Sequence, residues 1–305
     1  MKSASTLHHF LAEQHLPLTF LKLVDEWYLP LAGRIAKHHA DAGRPLLIGI
    51  NGSQGSGKST LAALLTELLT KKFDLKTIDL SIDVFYLTRE ARLALAGQVH
   101  PLFATRGVPG THDVNLMGET LLQLTRESGA VSIPRFDKAR DDRYPAEVWD
   151  RVSSPFDVII VEGWCLGTPA QTDEALLQPV NDLEALEDPD GSWRRYVNQQ
   201  LGGRYQGLYQ LLDLWIMLQA PSFECSFRWR LEQEEKLANK LRAGEPENGT
   251  HCRVMTATQL HRFIQHYQRL TEQSLQQLPG RVHYLFRLDA ERRIVACEEP
   301  RMVSF

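Results

Sequence analysis

The segment Gly52-Ser53-Gln54-Gly55-Ser56-Gly57-Lys58-Ser59-Thr60 makes the most specific chemical statement in this chain. Its G-x-x-x-x-G-K-[ST] spacing lets backbone N–H groups turn inward around phosphate oxygens. Gly52, Gly55 and Gly57 permit the sharp turn, with Ser53, Gln54 and Ser56 completing the cradle. A helix starting at Lys58 adds its positive N-terminal dipole. Lys58 is then placed to bridge the outer phosphates of a nucleotide. The Ser59 hydroxyl is placed to ligate Mg2+, with Thr60 beside it in the first helical turn.

Two acids have the right setting to join this loop. Phe156-Asp157-Val158-Ile159-Ile160-Val161-Glu162-Gly163 is an apolar run ending in a carboxylate. A strand of that kind next to the first one delivers an acid toward magnesium, which makes Glu162 the metal-side candidate. Ser81-Ile82-Asp83-Val84-Phe85-Tyr86 ends the strand after the first helix. Asp83 therefore emerges at the C-terminal edge of a sheet, where open α/β proteins bind ligands. An acid there can take the proton of an attacking hydroxyl and aim it at a γ-phosphate. Arg106, Arg135 and Arg143 lie in two turn-rich segments, 100–113 and 134–143, and would give a small anion planar, bidentate partners. Asp113 reads instead as the N-cap of a helix over Val114–Glu127. Arg228 and Arg230 stand on a basic helix able to close over ATP, and either is a candidate for stabilising the transferred phosphoryl group.

The elements that must position these groups follow from the apolar pattern. Leu46–Ile50 is a buried strand and Lys58–Lys72 a helix with one leucine face. Apolar runs return at Thr77–Val84, Val131–Ile133, Phe156–Val161, Leu214–Leu218 and Val282–Leu288, with helical patterns between several of them. That alternation predicts a central parallel sheet covered on both faces, and with the phosphate loop after the first strand the expected fold is an α/β, three-layer P-loop NTPase fold. Residues 1–44 read as an N-terminal helical extension broken by Pro17 and Pro30, and residues 45–305 as the P-loop domain. Residues 168–204 read as a polar insertion with a turn at Asp188-Pro189-Asp190-Gly191. Residues 224–278 read as two long helices separated by 244–249, with a helical lid over about 224–250.

Composition sets the outer limits. The 305 residues are 43% hydrophobic, enough for a sizeable core, and 34 basic residues nearly balance 38 acidic ones. A formal charge of −4 argues against a general nucleic-acid binder. No apolar stretch reaches the length of a signal or a membrane span. Cys165, Cys225, Cys252 and Cys297 show no metal or disulfide spacing, so four reduced cysteines in a cytoplasmic protein are expected. The expected partner is a small-molecule substrate, with the chain a monomer or homodimer.

The chain resembles the phosphate-loop small-molecule kinases, and within them the D-glycerate 3-kinase family. The resemblance is carried by residues 49–60, 82–88, 106–113, 134–138, 161–167 and 229–234, in the family's order. Arg106-Gly107-Val108-Pro109-Gly110-Thr111-His112-Asp113 and Glu162-Gly163-Trp164 are its most specific parts. It implies ATP and Mg2+ as cofactors, Asp83 on the acceptor hydroxyl, Glu162 near the metal and Arg230 in the lid. Tyr86 and His112 lie in the matching segments and join the three arginines as expected acceptor-site residues. At Val84 the chain departs from the family pattern, which carries a second Asp there. The expected reaction is γ-phosphoryl transfer to D-glycerate, giving 3-phosphoglycerate. Another small acceptor (a nucleoside, pantothenate or a sugar phosphate) and a partner-driven ATPase are the competing readings. A GTPase is disfavoured, because Asn239-Lys240-Leu241-Arg242 ends in Arg inside a helical pattern.

Overall fold

The computed structural model describes residues 2–126, 128–242 and 255–299. The chain opens with helices α1 (Lys2–Glu13), α2 (Phe20–Leu23) and α3 (Leu29–Ala42). Pro17 falls between α1 and α2, as the pattern predicts. Pro30 does not break its helix. It sits in the first turn of α3, where its missing N–H costs nothing. A wider π-helical turn, Val24–Tyr28, precedes it, and the Leu29 N–H reaches back to the Val24 carbonyl.

Strand β1 (Leu46–Gly52) leads through the glycine-rich loop into α4 (Lys58–Lys72) and back into β2 (Thr77–Ser81). A single 3-10 turn, Ile82–Phe85, then carries Asp83. Helices α5 (Arg89–Gln98) and α6 (Val114–Leu124) follow, and the Asp113 carboxylate caps α6 by accepting the Leu116 N–H at 3.1 Å. Strand β3 (Gly129–Ile133), the short strands β4 (Phe136–Asp137) and β5 (Asp142–Arg143), and β6 (Asp150–Ser154) come next. They precede β7 (Val158–Gly163), helices α7 (Asp182–Glu187), α8 (Ser192–Gly202) and α9 (Arg204–Tyr209), and β8 (Leu214–Gln219). Helices α10 (Phe223–Arg242) and α11 (Ala257–Gln277) and the hairpin β9 (Tyr284–Leu288) and β10 (Ile294–Glu298) complete the order.

The main sheet runs β10-β9-β8-β1-β7-β2, parallel except for the antiparallel edge strand β10. Side chains alternate between its faces. Leu46, Ile48 and Ile50 pack with α4 and with Val24, Leu31 and Ile35 of the N-terminal helices. Leu47, Ile159 and Val161 pack on the opposite side with Met117, Leu201 and Leu270. Every residue of β1 is buried, as expected of a strand with neighbours on both edges and helices on both faces.

One expectation needs correction. Val131–Ile133 is a strand, but it pairs antiparallel with β6 outside the main sheet. Gly129 and Ala130 are exposed while Val131 and Ile133 are buried, the signature of a one-sided ribbon. Residues 168–204 are polar in composition but not peripheral in packing. Trp193, Val197 and Leu201 are buried in the core, and the polar groups of this segment satisfy one another. Arg194 pairs with Asp188 at 2.9 Å, and Arg269 of α11 pairs with Glu184 at 2.6 Å, all four buried. Asp188-Pro189-Asp190-Gly191 is therefore the cap of α8. The 244–249 loop lies outside the described residues. Among the described residues no helix is long and apolar enough to cross a membrane.

Candidate active site

The glycine-rich loop connects the buried end of β1 to α4, which starts at Lys58. Gly55 and Gly57 have φ of 79° and 93°, a region that side chains with a Cβ adopt only at a cost. Ser53 and Ser56 are buried, and the Ser56 hydroxyl has no hydrogen-bond partner among the described residues. A phosphate oxygen would supply one. Helix α10 braces the loop from outside. Ser226 Oγ donates to Ser53 Oγ at 2.7 Å, and Trp229 packs so tightly that a Cβ at Gly55 would lie 2.7 Å from the Trp229 Cβ. Trp229 Nε1 is anchored in turn on the Ala290 carbonyl at 2.8 Å.

Strand register delivers the first acid. In β7, Glu162 lies level with Ile50 of β1 and with Ser81 of β2. Ser59 Oγ donates to Glu162 Oε1 at 2.8 Å, and Lys58 Nζ lies 3.8 Å from Oε2. Glu162 is only 5% exposed, and its Oε2 is a buried oxygen without a hydrogen-bond partner. A hydroxyl and a carboxylate with a spare oxygen form the hard donor set that Mg2+ takes, the rest coming from phosphate and water. The residues present fit that ion. Asp79 of β2 faces the same space, and burial raises its pKa, with the Glu162 charge adding to the effect.

The second acid stands across a cleft of about 610 Å³ that also admits Gln54, Gly55, Lys58 and Ser59. Ser81 Oγ accepts the Asp83 N–H and fixes the turn. Asp83 Oδ1 accepts from the Tyr86 hydroxyl at 3.0 Å, and Oδ2 from Lys138 Nζ at 2.7 Å. Burial alone would raise the Asp83 pKa. The Lys138 and Lys58 ammonium groups prevail and hold it at about 2. Behind this pair Tyr86 stacks on His112 with ring centroids 4.5 Å apart. Burial drives the His112 pKa down to about 4, so the ring is neutral, and Nδ1 lies 2.6 Å from the Tyr205 hydroxyl.

The expected acceptor-site residues do not all gather here. Arg106 lines the cleft, paired with Asp141 and lying over the Phe136 ring. Arg230 lines it too, paired with the buried Glu234. Arg143 does not: its guanidinium is spent on the Tyr86 carbonyl at 2.7 Å and on Asp113 at 3.3 Å, so it holds the loop instead of a ligand. Arg135 is half exposed on the wall of a wider adjoining basin, over the Tyr144 ring and 3.8 Å from Asp150. His112 backs Tyr86 and is not a wall of the cleft. Arg228 reaches the Ala290 carbonyl, away from it. Sequence reasoning passed over Lys138, Asp79 and Trp229. Lys138 stands inside the Pro134–Lys138 segment, but its ammonium is a point charge without the planar, bidentate fork that marks arginine as an anion partner.

Residues 47–181 match the model of the Phosphoribulokinase / Uridine kinase family. A kinase of Schizosaccharomyces pombe, "Uncharacterized kinase mug58", is 32% identical over 257 residues, which is 82% of this chain and 88% of that one. The chain belongs to the same kinase family as that protein. "D-glycerate 3-kinase, chloroplastic" of Arabidopsis thaliana is 32% identical over 238 residues, covering 72% of this chain; the chain spans 49% of that protein's length. The structure of D-glycerate 3-kinase from Cryptococcus neoformans superposes with a TM-score of 0.71 at 24% identity, covering 89% of this chain and 97% of that one, and shares the fold. This protein is accordingly an ATP-dependent small-molecule kinase that phosphorylates a hydroxyl.

Proposed function

We propose that this kinase transfers the γ-phosphoryl group of ATP to D-glycerate, giving 3-phosphoglycerate and ADP. The observation that carries the reading is the position of Asp83, in one small cleft with Lys58 and flanked by Arg106 and Lys138. A short hydroxy acid needs that set: an acceptor for the hydroxyl proton, cations for its carboxylate, and a phosphate loop within reach. The similarity to D-glycerate 3-kinase from Arabidopsis thaliana supports the same choice.

In this mechanism the loop N–H groups from Gly52 to Ser59 and the Lys58 ammonium hold the phosphates. Asp83 aligns the acceptor hydroxyl and receives its proton as the new O–P bond forms and the bond from γ-phosphorus to the bridging oxygen breaks. Arg230 leaves Glu234 to meet the charge on the transferring group. Ser59 and Glu162 would hold Mg2+, which neutralises phosphate charge when bound. Catalysis is then chiefly positioning and electrostatics. We read residues 1–44 as an extension that completes one face of the sheet, and the enzyme as cytoplasmic.

The test is ADP release with MgATP across D-glycerate, L-glycerate, pantothenate, uridine, ribulose 5-phosphate and no acceptor, with Asp83→Asn alongside. Turnover that requires D-glycerate and falls by about 100-fold or more in the variant supports the proposal. Preference for another acceptor replaces the substrate. ADP release that no acceptor enhances points to a partner-driven ATPase and overturns it.

A further inference from the structure

Four cations line the cleft among the described residues, and each is held by a carboxylate of the chain itself. Lys58 has Glu162, Arg106 has Asp141, Arg230 has Glu234 and Lys138 has Asp83. The first three carboxylates serve metal, loop or lid. The fourth is the acid that must receive the acceptor's proton. Lys138 comes from the turn between β4 and β5, and its side chain is 63% exposed against 30% for Asp83. It is a long, solvated arm resting on a fixed, partly enclosed acid.

We propose that Lys138 is a specificity-determining residue that blocks Asp83 until an anionic acceptor draws its ammonium away. The inference rests on the reading of the substrate as a hydroxy acid. An ammonium at 2.7 Å stabilises the carboxylate and makes it a poor base. The other groups facing Asp83 cannot lift that restraint. Lys58 from α4 is also positive, the Tyr86 hydroxyl donates to the second oxygen, and His112 is neutral behind Tyr86. Only an exchange of Lys138 to a new anion restores basicity to Asp83. Lys138 Nζ already lies 2.7 Å from Asp83, so the carboxylate of a small hydroxy acid with its hydroxyl on Asp83, only a few bonds further on, would fall within reach of the lysine arm. A neutral alcohol or water offers no anion, so Lys138 stays in place. The same contact would thus favour acids over neutral polyols and suppress ATP hydrolysis in an empty acceptor site.

The experiment compares wild type, Lys138→Met and Lys138→Arg as full-length proteins, measuring ADP release with MgATP and D-glycerate, glycerol or no acceptor. In Lys138→Met the KM for D-glycerate is expected to rise by about 10- to 100-fold, the loss of one charge-assisted hydrogen bond. Release with glycerol and without acceptor is expected to rise, so the preference for D-glycerate over glycerol falls at least about tenfold. Lys138→Arg is expected to restore most of the preference, and the thermal midpoint should be the same in all three proteins. A preference that survives Lys138→Met, or an equal fall with both acceptors, overturns the inference and leaves the kinase reading standing. Absence of D-glycerate-dependent turnover in wild type overturns the substrate reading, and the inference with it.

Discussion

The Ser59 hydroxyl donates to Oε1 of Glu162 at 2.8 Å across 103 residues of sequence. The contact exists because β1 and β7 are hydrogen-bonded neighbours in register, so the helix after one strand meets the acid ending the other. It fixes the nucleotide side of the cleft before any ligand arrives, and it leaves the second Glu162 oxygen without a hydrogen bond, with Lys58 Nζ 3.8 Å away.

Glu162→Gln keeps the shape and the Ser59 contact but removes the charge. Activity should fall by about 10- to 100-fold, and the Mg2+ concentration for half-maximal rate should rise. ADP release titrated against Mg2+ measures both. An unchanged Mg2+ requirement would remove Glu162 from the metal side.

Gly55→Ala and Gly57→Ala separate crowding from backbone strain. Both positions have positive φ, worth about 1–3 kcal/mol of strain for alanine. A methyl at Gly57 meets open space, whereas one at Gly55 drives into Trp229. Gly55→Ala should therefore lower the thermal midpoint further and weaken ATP binding more, as calorimetry of the two variants would show. Equal losses would mean that α10 yields without cost.

His112 links stability to pH. In the native chain its pKa is about 4, against 6.5 for an ordinary histidine, because burial disfavours the charged ring. Between these values the unfolded chain binds a proton that the native chain refuses. Stability should therefore fall as pH drops from 6.5 to 4 and gain no further penalty from this group below that, in total about 3 kcal/mol. Urea midpoints from pH 7 to 4.5 should decline less steeply in His112→Gln than in wild type. Parallel curves would show that the ring does not titrate this way.

Asp188→Ala tests whether the polar lobe is structural. Asp188 is fully buried, accepts the Trp193 and Arg194 N–H groups and pairs with the Arg194 guanidinium. Removing it strands a buried cation and should cost about 3–5 kcal/mol of unfolding free energy, with the KM for ATP unchanged. A nucleotide-linked role for this Asp-Pro-Asp-Gly turn would instead move KM and spare stability.

Several elements were legible because their signals are local. The bounds of α4, Lys58–Lys72, follow from a glycine punctuation and a leucine face. Asp113 caps α6 because an Asp before an apolar helical run has few better uses. The packing of 168–204 is not legible for the opposite reason: Arg194, Asp188, Glu184 and Arg269 look like surface residues in sequence, and their partners lie up to 85 residues away. Arg143 and Arg135 have the chemistry of an anion site, but only three-dimensional packing reveals that Tyr86, Asp113 and Tyr144 already occupy them.

The phosphate loop, the strand-end acids and the α/β order were set by the sequence alone, because each depends on residues within one turn or one strand. Tertiary structure decided which cations face Asp83. That choice depends on where β4 and β5, α10 and the 106–113 loop converge. The position of Lys138 on Asp83 is a relation between segments 55 residues apart, and no spacing rule encodes it.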